Sequence, residues 1–251
     1  EKALKLKFIG RLGVGLDNID TEYCKNNNIF VQPATGMNAD SVAEYVINSS
    51  LTLLKKTTIV NIQTQNGKWP RTTLITRELK GKTLGLIGFG NISKKVLKLV
   101  NAFDVSTITF DPYVSLEETN SYNIRKVSFE EILNLADIIS IHVPLNNETK
   151  YMFSNESFIK MKKKPIIINS SRGGIINETD LLNAYFNNNI SGFALDVFES
   201  EPVNETFLSK ITNEMNCILT PHNAGVTEES NERVSKFIIK KTNEFLQNFK
   251  D

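Results

Sequence analysis

The sequence predicts an α/β fold, a doubly wound parallel sheet, on three observations. Six short apolar runs recur, at residues 84–87, 107–110, 138–143, 166–169, 193–197 and 217–220. They are near-continuous in apolar residues instead of alternating with polar ones, as strands covered on both faces are. The segments between them are long enough for the crossover helices that parallel neighbours require. With 251 residues and 40% hydrophobic content, the chain can bury a core of that size, as one large domain or one plus a part of another.

Taken in order, the first 35 residues supply a strand around Phe8, a helix over 21–25 and a strand over 29–31, too little for an independent core. The chain opens on Glu1 instead of Met, partway through an α/β pattern, so further sequence is expected upstream. A helix over 41–56 follows, with Ser41 and Glu44 at capping-box spacing. Its Val42, Ala43, Tyr45, Val46, Ile47, Leu51, Leu53 and Leu54 make an apolar surface too wide for one face, so it is expected to be buried on several sides. An arm runs on through Trp69 toward Leu79. After the six strands, a last helix near 230–248 sets Val234, Phe237, Ile238, Phe245 and Leu246 on one stripe. The expected division is a partial domain, 1–38, completed by the helix 229–251, and a main domain, 39–228.

Composition excludes several functions. Lys and Arg number 29 against 28 Asp and Glu, a net charge of +1 with both signs scattered, so no basic face offers itself to nucleic acid. No apolar run approaches the roughly 18 to 20 residues that span a bilayer, so no membrane partner is expected and the expected compartment is cytoplasmic. Cys24 and Cys217 read as inert core thiols, and no metal site is expected.

Chemistry enters at the end of the first apolar run. Gly81-Lys-Thr-Leu-Gly-Leu-Ile-Gly88-Phe-Gly90-Asn-Ile-Ser93 is strand, glycine turn and helix start. Gly88 makes the tight turn, and Gly90 leaves room for a pyrophosphate at the helix N-terminus. Asp111 ends the second run, where its carboxylate can accept both ribose hydroxyls of NAD and would repel the 2′-phosphate of NADP. Ser93 replaces the third glycine of the pattern, so helix and strand are expected to pack slightly less closely.

Four more motifs fall at strand ends: His142-Val-Pro-Leu, Asn169-Ser-Ser-Arg172-Gly-Gly, Asp196-Val-Phe-Glu-Ser-Glu201-Pro and Thr220-Pro-His222. With Gly10-Arg-Leu-Gly13-Val-Gly15-Leu-Asp17-Asn-Ile-Asp20, Ser41-Val-Ala-Glu44 and Gly67-Lys-Trp69, this ordered set resembles the D-isomer-specific 2-hydroxyacid dehydrogenase family along essentially the whole chain. The resemblance implies a Rossmann NAD domain beside an incomplete flavodoxin-like substrate domain. A histidine can supply the proton that reduction of a 2-oxo acid needs near neutral pH. By resemblance that residue is His222, with Glu201 orienting its imidazole; Glu199 is the nearby competitor, at a variable position of the motif.

Arg172 corresponds to the arginine that binds the substrate carboxylate and polarises the carbonyl, a task suited to its rigid fork. The backbone of Gly13 and Val14 is the other half of carboxylate recognition. For the cofactor the resemblance implies Gly88, Gly90, Asn91, Ile92, Asp111, His142, Pro144, Ser171, Asp196 and Ala224. Of these, Asp196 holds the nicotinamide carboxamide, and His142 lines the adenine side as a structural residue. Asn91 stands where the family commonly has Arg, so a charged phosphate contact is missing.

The favoured substrate is 3-phosphoglycerate, with glyoxylate or hydroxypyruvate next. A homodimer through the helix 41–56 and the arm is expected. The alternatives are an NAD-sensing scaffold of the same family and an inactive fragment.

Overall fold

The computed structural model describes residue 3 and residues 5–248; residues 1, 2, 4 and 249–251, the outer ends of the expected partial domain, lie outside the described residues. In chain order the elements begin with β1 (Phe8–Arg11), α1 (Thr21–Asn26), β2 (Phe30–Pro33), α2 (Ala39–Lys55) and α3 (Thr57–Gln65). Then come β3 (Thr83–Ile87), α4 (Asn91–Val100), β4 (Ser106–Phe110), α5 (Leu116–Ser121), β5 (Arg125–Lys126), α6 (Phe129–Leu135) and β6 (Ile138–Ile141). The last third holds α7 (Asn155–Ile159), β7 (Ile166–Asn169), α8 (Glu178–Phe186), β8 (Gly192–Leu195), α9 (Glu205–Leu208), β9 (Cys217–Leu219) and α10 (Glu228–Asn248). The chain divides into two compact units, one of residues 1–42 with 225–251 and one of residues 43–224.

The larger unit is a seven-stranded parallel sheet in the order β5-β4-β3-β6-β7-β8-β9. The chain runs outward from β3 in one direction and then returns to lay β6 on the other side, so the order reverses between β3 and β6, the point where such sheets bind ligands. Ile138, Ile139, Ile141, Ile166, Ile167, Ile168, Phe193 and Ala194 are fully buried, which is why these strands read as unbroken apolar runs. β5 is a correction to the six strands expected. Its Arg125-Lys126 pair carries no apolar signal, and it joins the sheet at the edge through β4 alone.

In the smaller unit β1 and β2 pair in parallel, and Val234 and Ile238 of α10 pack with Ala34, Met37 and Phe237. Phe245 stacks on Phe30 at a ring centroid distance of 6.0 Å and meets Phe8 tilted at 5.0 Å, whereas Leu246, expected on the same stripe, is 51% exposed. The capping box at Ser41 is a second correction. α2 starts two residues earlier, at Ala39, and the Ser41 hydroxyl lies 2.9 Å from that of Thr227, tying α2 to the start of α10. Cys24 is buried and Cys217 half-buried, and both thiols are free; burial pushes the Cys217 thiol up to about 11, which keeps it protonated and unreactive near neutral pH.

Candidate active site

Register is what assembles the site. Phe110 pairs with Ile87, Ile87 with Ile141, Ile141 with Asn169, Asn169 with Leu195 and Leu195 with Leu219. Six strand ends therefore lie level along one edge, spaced by about 4.8 Å. The residues that follow them in sequence are Asp111, Gly88, His142, Ser170, Asp196 and Thr220. The glycine turn, Asp111 and the four motifs of the later strands all leave the sheet at that edge, whereas Gly67-Lys-Trp69 lies on the arm after α3.

At the switch point Gly88 adopts φ 87°, and a Cβ there would stand 2.7 Å from the His142 carbonyl oxygen, so the turn requires glycine on both counts. Gly90 caps α4 without a side-chain hydrogen bond, and a Cβ at Gly90 would meet nothing within 4 Å. An open approach to the N-terminus of a ten-residue helix is the setting that suits a phosphate. Asn91 and Ile92 open that helix. Ser93, fully buried, donates to the Gly88 carbonyl at 2.6 Å, so the substitution for glycine adds a bond between helix and turn.

Asp111 is already engaged: one carboxylate oxygen accepts from the Phe89 amide at 2.8 Å, the other from the amides of Tyr113 at 2.8 Å and Val114 at 3.2 Å. It thus holds the glycine turn from the end of β4. Across the edge, Tyr113 donates its phenol proton to Glu148 at 2.6 Å. Pro144 is exposed on the loop after β6. His142 has its Nε2 2.9 Å from the Ser140 hydroxyl and its Nδ1 closed to solvent without a partner among the described residues. Burial drops its pKa to about 3, so it stays neutral and acts in no proton transfer near pH 7.

At the other end of the line, His222 Nδ1 lies 2.8 Å from Glu201 Oε2. Glu201 is fixed in turn by the Phe198 amide, which donates to its Oε1 at 3.2 Å. Glu199 faces elsewhere: its carboxylate accepts from the Glu178 amide at 2.9 Å and from the Tyr151 hydroxyl at 3.2 Å, while Glu178 accepts from the Glu199 amide at 2.6 Å. That reciprocal clasp ties the start of α8 to the loop that carries Glu201.

Arg172 leaves β7 on a turn organised by Asn169, whose amide group donates to the Arg172 carbonyl at 2.9 Å and whose carbonyl oxygen accepts from the Ser171 hydroxyl at 2.7 Å. One guanidinium nitrogen donates to the Ser171 carbonyl at 2.6 Å. At Gly173 a Cβ would fall 1.7 Å from the Phe198 carbonyl oxygen, so the Arg172 and Glu201 loops touch backbone to backbone.

Asp196, 1% exposed, accepts three hydrogen bonds from the turn that holds His222: the Thr220 hydroxyl at 2.6 Å and the Asn223 amide at 2.8 Å on Oδ1, and the Ala224 amide at 2.9 Å on Oδ2. An ionised carboxylate has about four acceptor positions, so one remains on Oδ2, enough for the amide group of a nicotinamide. The residues present therefore fit NAD. Gly13 and Val14 belong to the smaller unit, in the turn after β1, where the Gly13 carbonyl accepts from the Ala34 amide at 2.9 Å.

Sequence reasoning assigns no role to Tyr45, Thr220 or Glu178. The available signals were a phenol inside a wide apolar helix, a hydroxyl directly before Pro-His, and an acid at the first residue of a helix after an Asn cap.

Comparisons with known proteins converge. Residues 47–224 match the family model described as D-isomer specific 2-hydroxyacid dehydrogenase, NAD binding domain. The chain is 38% identical over 231 residues to (S)-sulfolactate dehydrogenase of Chromohalobacter salexigens, covering 92% of this chain and 74% of that one. It is 36% identical over 246 residues to D-3-phosphoglycerate dehydrogenase of Bacillus subtilis, where 98% of this chain spans only 46% of the relative. Among solved structures, D-lactate dehydrogenase of Aquifex aeolicus complexed with NAD and lactic acid superposes with a TM-score of 0.88 at 31% identity, covering 97% of this chain and 77% of that one.

Proposed function

The chain belongs to the D-isomer-specific 2-hydroxyacid dehydrogenase family, and from that premise we propose that it interconverts a D-2-hydroxy acid and the matching 2-oxo acid, with 3-phosphoglycerate the favoured substrate. The observation that carries this reading is the His222–Glu201 pair at 2.8 Å, on loops that leave neighbouring strand ends. Bound NAD supplies the hydride acceptor, or NADH the donor. With Nδ1 held by Glu201, Nε2 is the ring nitrogen left for the substrate. In reduction a protonated Nε2 gives its proton to the carbonyl oxygen, and in oxidation a neutral Nε2 takes the proton of the hydroxyl. Glu201 keeps the imidazole in one orientation and tautomer. Arg172 binds the carboxylate with its fork. Asp196 holds the nicotinamide amide, and Asp111 the ribose.

Sulfolactate and phosphoglycerate, named in two of the relatives, are both 2-hydroxy acids with a second anion on the third carbon. That shared chemistry supports a doubly anionic substrate; the alternative is glyoxylate or hydroxypyruvate, the latter named in a third relative, the hydroxypyruvate reductase of Thermotoga maritima at 37% identity. The same reading has the enzyme working in the cytoplasm as a homodimer. Its arm supports the assembly: Trp69 and Ile75 are 79% and 82% exposed, and a cavity of about 690 Å³ lined by Leu53, Leu74, Ile75, Tyr185 and Phe186 lies at the amino ends of β8 and β9, away from the site.

NADH oxidation with 3-phosphohydroxypyruvate, 3-sulfopyruvate, hydroxypyruvate, glyoxylate and pyruvate tests the reading. The two doubly anionic acids are expected to give the highest kcat/KM. His222→Ala should lower kcat by about 10² to 10⁴ while NADH still binds. Absence of turnover with every acid would sink it.

A further inference from the structure

We propose that Tyr45 and Thr220 are positioning residues for His222, acting through Asp196. The inference rests on the proposed acid–base role of His222. It starts from the backbone: His222 sits at φ 55°, a left-handed conformation that an ordinary side chain adopts only when its surroundings impose it. The imposition is visible. The His222 amide donates to the Asp196 carbonyl at 2.8 Å and to the Thr220 carbonyl at 3.0 Å, and the next two amides donate to the Asp196 carboxylate.

The remaining contact on that carboxylate is the Thr220 hydroxyl, at 2.6 Å. A hydroxyl has one proton, and Thr220 spends it on Asp196. The Tyr45 hydroxyl, 3.0 Å from Thr220 Oγ1, is therefore the donor in that contact. The chain of donation runs Tyr45 to Thr220 to Asp196, from the first half of α2 to the turn that carries the imidazole. Burial raises the pKa of Tyr45, so its phenol keeps the proton the relay needs.

Charge-assisted bonds of this kind are stronger than neutral ones, and a donor that is itself receiving a bond is polarised further. Removing Thr220's hydroxyl strips Oδ1 of one of its two donors and frees the phenol to turn to the Ser49 hydroxyl, so the relay to Asp196 is broken. The turn can then relax from the left-handed conformation. His222 would move while Arg172, the glycine turn and Asp111 stay where they are, and Asp196 keeps the Ala224 amide on Oδ2, the oxygen left for the nicotinamide. The loss should consequently fall on kcat and spare the binding of substrate and NADH.

The chain has two histidines, so its imidazole NMR spectrum contains two Cε1–H signals, and His222→Asn identifies which is which. In the full chain, Thr220→Val should lower kcat about tenfold, a modest part of what a displaced catalytic group can lose, with KM for the oxo acid and Kd for NADH within about threefold. Tyr45→Phe should lose about threefold, and Thr220→Ser should recover most of the loss. The His222 signal should shift in Thr220→Val and Tyr45→Phe and return in Thr220→Ser. The NMR arm needs no turnover, so it stands even if no oxo acid in the panel is reduced, which separates failure here from failure of the dehydrogenase reading. An unmoved His222 signal in both Thr220→Val and Tyr45→Phe overturns the proposal. So does a Thr220→Ser variant that is no better than Thr220→Val.

Discussion

A methyl group placed on Gly90 and one placed on Gly173 meet opposite surroundings. At Gly90 the space is open, so Gly90→Ala should leave thermal stability unchanged and weaken NAD binding by occupying the approach to α4, as isothermal titration beside a melting curve would show. At Gly173 the methyl meets the Phe198 carbonyl oxygen, which is backbone and cannot swing aside. Overpacking of this kind costs about 1 to 3 kcal/mol, and at about 2 to 4 °C per kcal/mol the Tm of Gly173→Ala should drop by roughly 2 to 12 °C. Equal effects at the two positions would contradict this assignment of roles.

His142 gives a prediction of known sign. Its folded-state pKa of about 3 lies below the ordinary 6.5, so the unfolded chain takes up a proton that the folded chain refuses. The stability this group contributes is whole above pH 6.5 and is lost as pH falls from 6.5 toward 3. Urea midpoints at pH 7 and pH 5 should differ less in His142→Gln than in the parent chain.

At the scale of elements, β4 and the turn after β3 act as one device, because Asp111 both ends the strand and accepts from the Phe89 amide. Asp111→Ser should narrow the preference for NAD over NADP by about tenfold through lost charge repulsion, worth about 1.4 kcal/mol, and kcat/KM with the two cofactors reads it. If NADP remains as poor a cofactor as before, Asp111 is not the discriminating group.

The buried strands were legible because a strand covered on both faces has nowhere to put a polar residue. β5 was not, since a two-residue edge strand of Arg125-Lys126 needs no apolar content. The start of α2 was misplaced for a different reason. Ser41 and Glu44 have capping-box spacing, but tertiary structure offered Ser41 a partner 186 residues away. Of the site, the residues at strand ends could be found by their position after apolar runs. The Tyr45–Thr220–Asp196 relay could not, because it joins helix to strand end across 175 residues of sequence and has no local pattern.

For the whole molecule the exposed arm is decisive. Trp69 and Ile75 are large apolar side chains left in solvent by one copy of the chain, and a self-complementary contact across a two-fold axis would cover both at once. Light scattering should give about twice 28.3 kDa, and Ile75→Glu should give soluble monomers. Leu51, partly buried on α2, packs against the core of its own copy and is therefore a poorer probe of the contact than Ile75. A parent chain that stays monomeric at micromolar concentration would refute the dimer.

The level line of strand ends has a consequence for how this chain could be rewired. Asn187 and Asn188 lie exposed between α8 and β8, at the edge of the sheet opposite the chemistry. A peptide inserted there lengthens a connection without shifting the register of either neighbour, so turnover should survive additions of a dozen residues or more. One residue inserted within β7 would instead turn every following side chain of that strand to the other face and push Arg172 out of line. Tolerance to insertion should therefore divide the molecule by edge and not by distance along the sequence.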